Sequence, residues 1–366
     1  MQRNKPPFRA DHVGSLLRPA ALREARAKHA RGEISAAALK AIEDHEIEHV
    51  IGRQEDVGLR SVTDGEFRRS WWHLDFLWGL DGVERHVMGE GVTFAGVKTR
   101  AEGLKVTGKI DFSGHPMIEH YRFVAAHTKQ TPKITIPAPS AIYGRPTPTP
   151  IDKASYPDLE GFFHDVGQAY RKAVRAFADA GCHYLQLDEV FIAMLCDPKY
   201  RQQMKDRGDD PEKLGAIYAD LINVAMSDIP SDMTITMHLC RGNYKSTHMG
   251  AGSYDAVQEI LFNKINVHGY FMEYDDERSG GFEPLRLLPK GKQVVLGLVT
   301  TKTGKLERKD DLKRRIDAAA KYAPLDQLCI SGQCGFASTE EGNVLTEAEQ
   351  WAKLRMIVEL AGEVWT

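Results

Sequence analysis

The sequence predicts an α/β protein, specifically a (β/α)8 TIM barrel with a hairpin insertion after strand two. Eight short β-forming segments alternate with helical patterns along the 366 residues, and such alternation is typical of parallel strands connected by helices. Polar side chains follow the ends of several of these strands, which is where barrel enzymes assemble their active sites. An open doubly wound sheet would instead carry a Gly-rich phosphate turn after strand one, which the segment GSLLRP lacks.

Local patterns justify the elements in the first half of the chain. Apolar residues at helical spacing predict helices, and short β-forming runs closed by turn residues predict strands. Residues 80–112 are Gly-rich and partly alternating, as in the stretch 91–97, and this pattern predicts the hairpin insertion. The remaining elements are strand one at 8–15, helices at 20–31 and 35–57, strand two at 60–63, a helix at about 115–129 and strand three at 133–136.

The second half continues the alternation and supplies strands four to eight. Four prolines between 144 and 158 predict a loop after strand three, and an amphipathic helix over 159–180 ends at Gly181. The later elements are strand four at 184–187, a helix near 211–227, strand five at 234–237, strand six at 267–272, strand seven at 293–299, a helix at about 309–322, strand eight at 327–330 and a helix at 346–362. No pattern marks a second domain, so residues 1–366 are expected to form a single catalytic barrel domain.

Composition and charge limit the class of protein. The chain is 42% hydrophobic and 27% charged, with a formal net charge of −3 and no block of like charges. We therefore expect neither a nucleic acid nor a membrane as a partner. Five cysteines at irregular spacing predict a reduced, cytoplasmic protein. The first 15 residues lack the apolar core of a signal peptide, and no later segment approaches a membrane span.

A basic and aromatic cluster follows strand two. Arg68, Arg69, Trp71 and Trp72 lie within five positions of the chain. Two interpretations stay open: a solvated turn beside a packed pair of tryptophans, or a wall that faces a substrate.

A candidate metal site begins with His238 and Cys240 at the end of strand five. Residues two apart in a strand project to the same side, and zinc is commonly held by Cys sulfur and His nitrogen. In a barrel, the ends of strands six and eight would bring Glu273 and Cys334 to the same centre, which completes a set of two cysteines, one histidine and one glutamate suited to zinc. Glu277 is a rival for the carboxylate position. Cys334 could instead be a small buried residue, although glycines on both sides favour an approachable turn.

The charge of such a set restricts its chemistry. Two thiolates and a carboxylate overcompensate a divalent zinc ion, so the metal would be a poor Lewis acid for water or a carbonyl group. A thiol bound there would still lose its proton near neutral pH and stay nucleophilic. The set therefore favours alkylation of a thiol over hydrolysis.

Several segments together resemble the cobalamin-independent methionine synthases. The segment HLC, the strand that ends at Glu273 and the turn SGQCGF are similar to the zinc motif of that family, and DHVGS, VTDGE and LQLDE are similar to its other signature strand ends. The resemblance covers essentially the whole chain and corresponds to the C-terminal catalytic barrel of the long synthases. CRGNYKST and EYDDERSGGFEPLR resemble the short, single-barrel branch more closely.

The resemblance implies a zinc-dependent methyltransferase that converts homocysteine to methionine. His238, Cys240, Glu273 and Cys334 would bind Zn2+. Ser15, Glu66 and Asp188 would hold the amino-acid part of homocysteine, with Glu66 and Asp188 also counted as catalytic. This agrees with elementary chemistry, because carboxylates suit an ammonium group, and a hydroxyl with backbone N–H groups suits a carboxylate. The second partner would be a methyl donor, for which a methyltetrahydrofolate is the first candidate.

Two departures from the long synthases leave the methyl donor open. The loop after strand seven, 300–303, has no histidine, and the tryptophan that follows strand three in the long form is missing from 138–140. Two alternative functions also remain: a zinc-dependent thiol alkyltransferase of the epoxide and coenzyme-thiol type, and a non-catalytic barrel that binds zinc or thiols. The alkyltransferase has a thiol without an amino-acid end, so Glu66 and Asp188 favour homocysteine.

Overall fold

The computed structural model describes residues 3–94 and 97–366. Its strands are β1 (Ser61–Val62), β2 (Asp81–Val87), β3 (Thr93–Phe94), β4 (Val97–Lys98), β5 (Glu102–Asp111), β6 (Thr131–Pro132), β7 (Ile134–Pro137), β8 (Tyr184–Glu189), β9 (Thr234–Leu239), β10 (Gly269–Glu273), β11 (Gln293–Val299) and β12 (Leu328–Gly332). Its α-helices are α1 (Ala20–Ala30), α2 (Ala36–Asp56), α3 (Leu74–Leu77), α4 (Met117–His127), α5 (Leu159–Asp179), α6 (Phe191–Met194), α7 (Pro198–Asp206), α8 (Pro211–Ala225), α9 (Lys309–Ala319) and α10 (Glu347–Val364).

A six-stranded parallel sheet forms the centre of this mixed α/β fold. Its strands lie in the order β12-β11-β10-β9-β8-β7, so each strand pairs with its neighbour in the chain. Every residue of β8 and β11 is buried, as expected for parallel strands that are covered on both faces. The sheet therefore brings the carboxyl ends of β8, β9, β10 and β12 to the same side of the protein.

The N-terminal segment differs from the predicted strand one. Residues 8–15 contain no strand in the described structure, and Ala10 forms an isolated parallel bridge with Ile330 of β12. The reason is local, because two backbone N–H groups that a ladder would use, those of Phe8 and His12, donate to the Asp11 carboxylate at 3.1 and 2.8 Å. Backbone hydrogen bonds from Asp11 N to Ile330 O and from Ile330 N to Arg9 O, at 3.1 and 2.8 Å, hold the segment beside the sheet.

Predicted strand two is also shorter than expected. β1 has two residues and pairs in parallel with β6. The N–H of Thr63 donates to Gln54 Oε1 at 3.0 Å, so the strand ends one residue before its predicted end. Thr63 nevertheless leads directly into the turn that carries Glu66.

Residues 80–112 contain antiparallel strands, in contrast to the central sheet. β2 pairs with β5, from Asp81 opposite Asp111 to Val87 opposite Glu102. β3 pairs with β4, with Thr93 opposite Lys98. Ala95 and Gly96, which the sequence predicts as part of this hairpin, lie outside the described residues.

The long predicted helices are confirmed within a few residues of their predicted ends. α5, for example, begins after Asp158, whose carboxylate accepts the N–H of Gly161 at 3.0 Å, and it buries one apolar face. α6 and α7 were not predicted, although Asp197 followed by Pro198 is a recognisable helix start. Among the helices of the described residues, none is long and apolar enough to cross a bilayer.

Candidate active site

The structure brings the four predicted metal ligands together at the carboxyl ends of three strands. His238 lies near the end of β9, Cys240 directly follows it, Glu273 ends β10 and Cys334 lies two residues beyond β12. All four are buried, and one potential ligand atom from each lies within 4.8 Å of those from the other three. These atoms come from the ends of three different strands, so the fold itself assembles the cluster.

The geometry of the cluster suits a tetrahedral zinc ion. The Cys240 and Cys334 sulfurs are 3.5 Å apart, close to the about 3.8 Å that two 2.3 Å bonds at the tetrahedral angle would give. Both ring nitrogens of buried His238 lack a hydrogen-bond partner in the described structure. A buried unpaired imidazole is costly, and a metal bond to one of these nitrogens would remove part of that cost.

Glu273 rather than Glu277 supplies the carboxylate of this cluster. Glu273 is fully buried, whereas Glu277 is exposed in a short turn beyond β10 and is not part of the cluster. The Glu273 carboxylate accepts the N–H of Arg241 at 3.2 Å and a guanidinium N–H of Arg278 at 3.2 Å. These donors fix its orientation and partly offset the negative charge of the set.

The two cysteines are electrostatically different. The Cys240 and Cys334 sulfurs share a hydrogen bond in which either could donate. The contact with Cys240, together with the adjacent His238 ring, holds the pKa of Cys334 well below its usual range. The same hydrogen bond, reinforced by burial, raises the pKa of Cys240. The two pKa values are therefore shifted in opposite directions by the same contact.

Glu66 lies beside this cluster in a strained turn. Its φ of 61° is in the left-handed region, which a residue with a side chain occupies at a cost of about 1–3 kcal/mol and which is frequent at functional sites. Thr135 donates to Glu66 Oε1 at 3.0 Å, and the Arg69 guanidinium lies 3.7 Å from the same oxygen. The second oxygen, Oε2, is buried without a partner in the described structure. Burial raises the pKa of Glu66.

Asp188 and Ser15 complete the predicted amino-acid site. Asp188 lies in β8 directly opposite His238 of β9 and accepts the side-chain N–H of Gln186 at 2.7 Å. Burial raises the pKa of Asp188 to about 7. The Ser15 hydroxyl accepts the N–H of Ala337 at 3.3 Å. A side chain at Gly335 would collide with that hydroxyl, since an added Cβ would lie 1.9 Å from it.

These residues share one cavity. Its empty volume is about 870 Å³, including the part that opens to solvent, and its lining is mainly apolar and aromatic. Its wall includes Ser15, Glu66, Asp188, His238, Cys240 and Cys334. Glu273 lies behind the other three members of the cluster, so one side of the cluster faces the cavity. The arrangement leaves room for a ligand to approach the two sulfurs and the imidazole.

The basic and aromatic cluster divides between the two interpretations. Trp71 and Trp72 line the cavity. Arg68 instead pairs with Glu43 and Asp44 of α2, and Arg69 is buried against Thr135, to which it donates at 2.7 and 3.1 Å. The tryptophans therefore form part of the cavity wall, while the arginines support the structure behind it.

The sequence interpretation missed other residues of the cavity wall. His73 precedes α3, Glu102 begins β5, Arg145 lies in the proline-rich loop after β7, and Tyr244 follows β9. Trp71 Nε1 donates to the Glu102 carboxylate at 2.7 Å, and the rings of Trp71 and Tyr244 stack at 6.5 Å. The neighbouring tryptophans were the one sequence signal that pointed to this side of the cavity.

Comparison with protein families and curated proteins gives a consistent result. The model for the cobalamin-independent synthase catalytic domain matches residues 8–363. Two uncharacterized proteins of Bacillus subtilis strain 168, YxjH and YxjG, are each 52% identical to the chain over its full length and over 96% and 97% of their own lengths. A 5-methyltetrahydropteroyltriglutamate–homocysteine methyltransferase of Bacillus velezensis is 22% identical over 90% of this chain but over 40% of its own length.

Solved structures extend the comparison to the fold. A Listeria monocytogenes protein named "Putative Vitamin-B12 Independent Methionine Synthase" is 41% identical, covers 100% of both chains and superposes with a TM-score of 0.79. A B12-independent methionine synthase from Shewanella sp. W3-18-1, in complex with selenomethionine, is 19% identical. The match covers 97% of this chain and 96% of that chain, with a TM-score of 0.73. The second likeness concerns the fold alone.

Proposed function

The chain belongs to the family of cobalamin-independent synthase catalytic domains, and from this premise we propose that it is a zinc-dependent methyltransferase that methylates the thiol of homocysteine to give methionine. One observation carries the proposal: His238, Cys240, Glu273 and Cys334 converge within 4.8 Å beside a cavity that also contains Glu66 and Asp188. A metal-binding set next to two buried carboxyl groups fits a substrate with a thiol at one end and an ammonium group at the other.

The proposal includes closure of the sheet into a single (β/α)8 barrel domain over residues 1–366. The bridge from Ala10 to Ile330 supports the segment 8–15 as the neighbour of β12 on its free edge. On the other side, the N–H of Lys133 donates to Val62 O at 2.8 Å, which continues the pairing of β1 toward β7. Contacts between the first segment and β1, such as Ser61 Oγ to Asp11 at 2.7 Å, would close the ring. The antiparallel strands β2 to β5 would then be the insertion after barrel strand two.

His238, Cys240, Glu273 and Cys334 would hold the zinc ion in this proposal. When bound, zinc lowers the pKa of a thiol in its coordination sphere and so supplies a nucleophilic sulfur near neutral pH. Arg241 and Arg278 orient Glu273 through the two hydrogen bonds described above. The side of the set that faces the cavity leaves access for the thiol of homocysteine.

Three further residues would bind the amino-acid end of the substrate. The partnerless oxygen of Glu66 and the carboxyl group of Asp188 suit an ammonium group, since charge-assisted hydrogen bonds are the stronger ones. Arg69 and Thr135 hold Glu66 in place for this role. Ser15 and the neighbouring backbone N–H groups suit the substrate carboxylate. Together these contacts would aim the sulfur at the methyl donor.

The reaction itself needs positioning more than acid–base chemistry. The sulfur of homocysteine attacks the methyl carbon in line, the new S–C bond forms, and the bond between the methyl group and the donor atom breaks with its electron pair on the donor. The cavity wall would keep the reacting atoms close, which lowers the barrier by proximity. A proton must reach the donor if its leaving atom is basic, and the loop 300–303 has no histidine for this task.

The proposal is tested by homocysteine binding and turnover on the zinc-loaded full chain. X-ray absorption at the zinc edge should show an added sulfur neighbour when L-homocysteine is supplied, and methionine should form with at least one of methyltetrahydrofolate, its triglutamate form or methylcobalamin. Zinc that gains no sulfur neighbour would support the non-catalytic barrel instead. Turnover of an epoxide with a sulfonate thiol, but not of homocysteine, would support the alkyltransferase.

A further inference from the structure

The cavity contains a second charged group, Arg145, that the proposed thiol chemistry does not use. Its side chain is buried, with 5% of the residue exposed, and it lines the cavity. One guanidinium nitrogen donates to His73 Nε2 at 2.7 Å, and the other makes a long contact of 3.4 Å with the Glu102 backbone oxygen. Neither partner contributes a negative charge, and no carboxylate of the described structure forms an ion pair with Arg145.

Two other buried arginines lie beside carboxylates, and a third is hydrogen-bonded to neutral backbone oxygens. Arg69 lies 3.7 Å from a Glu66 oxygen, Arg278 pairs with Glu273 at 3.2 Å, and Arg18 donates to several backbone carbonyl oxygens. None of these three lines the cavity. A buried cation without a countercharge is costly, and at Arg145 the open cavity is the place from which a countercharge can arrive.

His73 fixes the orientation of this guanidinium. Its ring lies against Trp71 and Trp72, with centroid distances of 5.9 and 4.4 Å. Burial, reinforced by the charge of Arg145, lowers the pKa of His73 well below its usual range, so the ring is neutral. Because Nε2 accepts from Arg145, the ring hydrogen is on Nδ1, which is buried without a partner in the described structure. His73 therefore supports Arg145, and its Nδ1–H group has no hydrogen-bond partner in the described structure.

We propose that Arg145, positioned by His73, binds an oxyanion group of the methyl donor, either a carboxylate or a phosphodiester. This inference rests on the proposed function, because it assigns the donor end of the same cavity. The planar guanidinium suits either oxyanion through paired N–H donors. The aromatic rings of Trp71, Trp72 and Tyr244 would pack against the apolar part of the donor.

The surroundings of Arg145 favour the donor over the carboxylate of homocysteine. Glu66 and Asp188, the proposed ammonium site, act electrostatically on one another and with Arg69. For Arg145, burial lowers the pKa to about 10, with no contribution from an acid. Its contacts are to His73 and to β5, on the side of the cavity covered by the antiparallel strands. Arg145 thus contacts His73 and β5 rather than Glu66 or Asp188, as expected for a group that binds the second substrate.

The test is calorimetric titration of methyl donors into the zinc-loaded full chain. The probes are 5-methyltetrahydrofolate, which carries carboxylates, methylcobalamin, which carries a phosphodiester, and 5-methyltetrahydropterin, a neutral analogue of the folate. Wild-type protein should bind one of the anionic donors at least about 10-fold more tightly than the neutral analogue, since a charge-assisted pair contributes this much. Arg145→Gln should weaken that donor about 10- to 100-fold and leave the neutral analogue unchanged.

Matched variants separate a binding role from a structural one. Arg145→Lys keeps the charge and should recover part of the affinity. Arg201→Gln removes the same charge from an arginine that pairs with Glu212 outside the cavity, and it should bind all probes as wild type does. His73→Asn should weaken the anionic donor less than Arg145→Gln does. In steady-state assays, Arg145→Gln should raise the KM of the anionic donor and leave that of homocysteine within twofold.

The outcomes distinguish this inference from the proposed function. Wild-type protein that binds no anionic donor, or binds the neutral analogue equally well, overturns the inference even if every variant is poorly folded. A rise in the KM of homocysteine alone also overturns it, while methyl transfer to homocysteine would still stand. Arg145-dependent binding of an anionic donor without methionine formation would support the inference and contradict the proposed reaction. The probe that loses affinity identifies the oxyanion as carboxylate or phosphodiester.

Discussion

Two groups of buried polar side chains lie at opposite ends of the strands, and they differ in how completely they are paired. Near the amino ends, the Asp11 carboxylate accepts from Phe8 N, His12 N, Ser61 Oγ and Tyr184 Oη at 2.7–3.1 Å, and the Lys133 ammonium lies 3.4 Å away. Near the carboxyl ends, both ring nitrogens of His238 and one oxygen of Glu66 have no partner in the described structure.

The difference separates buried charges that match one another from buried polar groups that have no partner. Lys133 and Asp11 are fully buried, yet each has its charge matched by the other, and Lys133 also lies over the rings of Tyr184 and Phe271. Such a network needs no ligand. The carboxyl-end groups are equally buried but lack partners, and buried polar groups without partners call for an explanation. The proposed metal ion and substrate at this end would supply one.

The largest effect is expected for Cys334→Ser. Serine is nearly the same size but a far poorer zinc ligand, and Cys334 lies in a turn rather than within the sheet. We expect loss of bound zinc and at least an about 1,000-fold fall in methyl transfer, which corresponds to about 4 kcal/mol of transition-state stabilisation. Zinc analysis, activity and circular dichroism would measure this.

Cys329→Ser is the matched control for this variant. Cys329 is buried in β12, where it packs with Val13, Phe271 and Val295, and it is not in the candidate metal cluster. It should keep zinc and activity while losing some stability. Full zinc content and activity in Cys334→Ser would remove Cys334 from the ligand set and would make Cys329 the alternative candidate.

At the opposite end, Asp11→Asn should damage stability rather than chemistry. The amide presents N–H donors to a site already crowded with donors and leaves the Lys133 charge unmatched. Breaking a buried ion pair in this way costs about 3–5 kcal/mol, which denaturant unfolding would measure. Zinc bound per folded molecule should stay at the wild-type value.

Glu90→Gln provides the comparison for an exposed ion pair. Glu90 contacts Lys98 at 2.8 Å on the surface, and its loss should cause no measurable change in unfolding. A loss of less than about 1 kcal/mol in Asp11→Asn would mean that the Asp11 network does not stabilise the fold, and the contrast between the two ends would fail.

The sequence predicted the central strands and the long helices because their patterns are local. β8 to β12 are short β-forming runs, and α5 has one apolar face, so neighbours in the chain determine both. The sequence also predicted that His238 and Cys240 project to the same side, because two-residue spacing in a strand does not depend on the rest of the fold. The positions of Glu273 and Cys334 needed the additional assumption that neighbouring strands end together.

What the sequence did not predict depends on contacts between distant side chains. Residues 8–15 read as a strand, but Asp11 takes two of the backbone donors. The segment DHVGS also contains residues with two different roles. Asp11 stabilises the amino ends of the strands, while Ser15 reaches the cavity. His73 and Arg145 come from separate loops, and nothing in either loop indicates that they meet at 2.7 Å.

A smaller effect is expected for Glu66→Gln, which should alter homocysteine binding without altering zinc content. Glutamine keeps the contact with Thr135 but cannot offer a charge to an ammonium group. Loss of a charge-assisted hydrogen bond of about 1.5–3 kcal/mol should raise the KM of homocysteine about 10- to 150-fold. Steady-state kinetics at saturating donor would measure this, with zinc analysis of the same sample.

Glu43→Gln is the control for Glu66→Gln. Glu43 is a mostly buried carboxylate that pairs with Arg26 and Arg68 away from the cavity, so its kinetics should match those of the wild type. Kinetics of Glu66→Gln within threefold of wild type would indicate that Glu66 is only a structural partner of Arg69. Loss of zinc would instead assign Glu66 to the metal site.

The smallest effect concerns His12, beside the Asp11 network, and appears as acid sensitivity. Burial, reinforced by the charge of Lys133, lowers the pKa of His12 to about 4, against about 6.5 in an unfolded chain. Between these values the unfolded state binds one more proton, so the free energy of unfolding should fall as the pH drops, by up to about 1.4 kcal/mol per unit. The physical reason is that Nε2 faces Ser61 O at 3.2 Å while buried Nδ1 has no partner for a second hydrogen.

Unfolding of wild type and His12→Asn at pH 4.5 to 7 would measure the pH dependence that is due to His12. Protonation of the metal ligands is common to both proteins and therefore cancels in the difference. Parallel stability profiles would show that His12 titrates alike in both states. The acid sensitivity of the fold would then come from other groups, such as His115 and His120, whose pKa values burial also lowers to about 4.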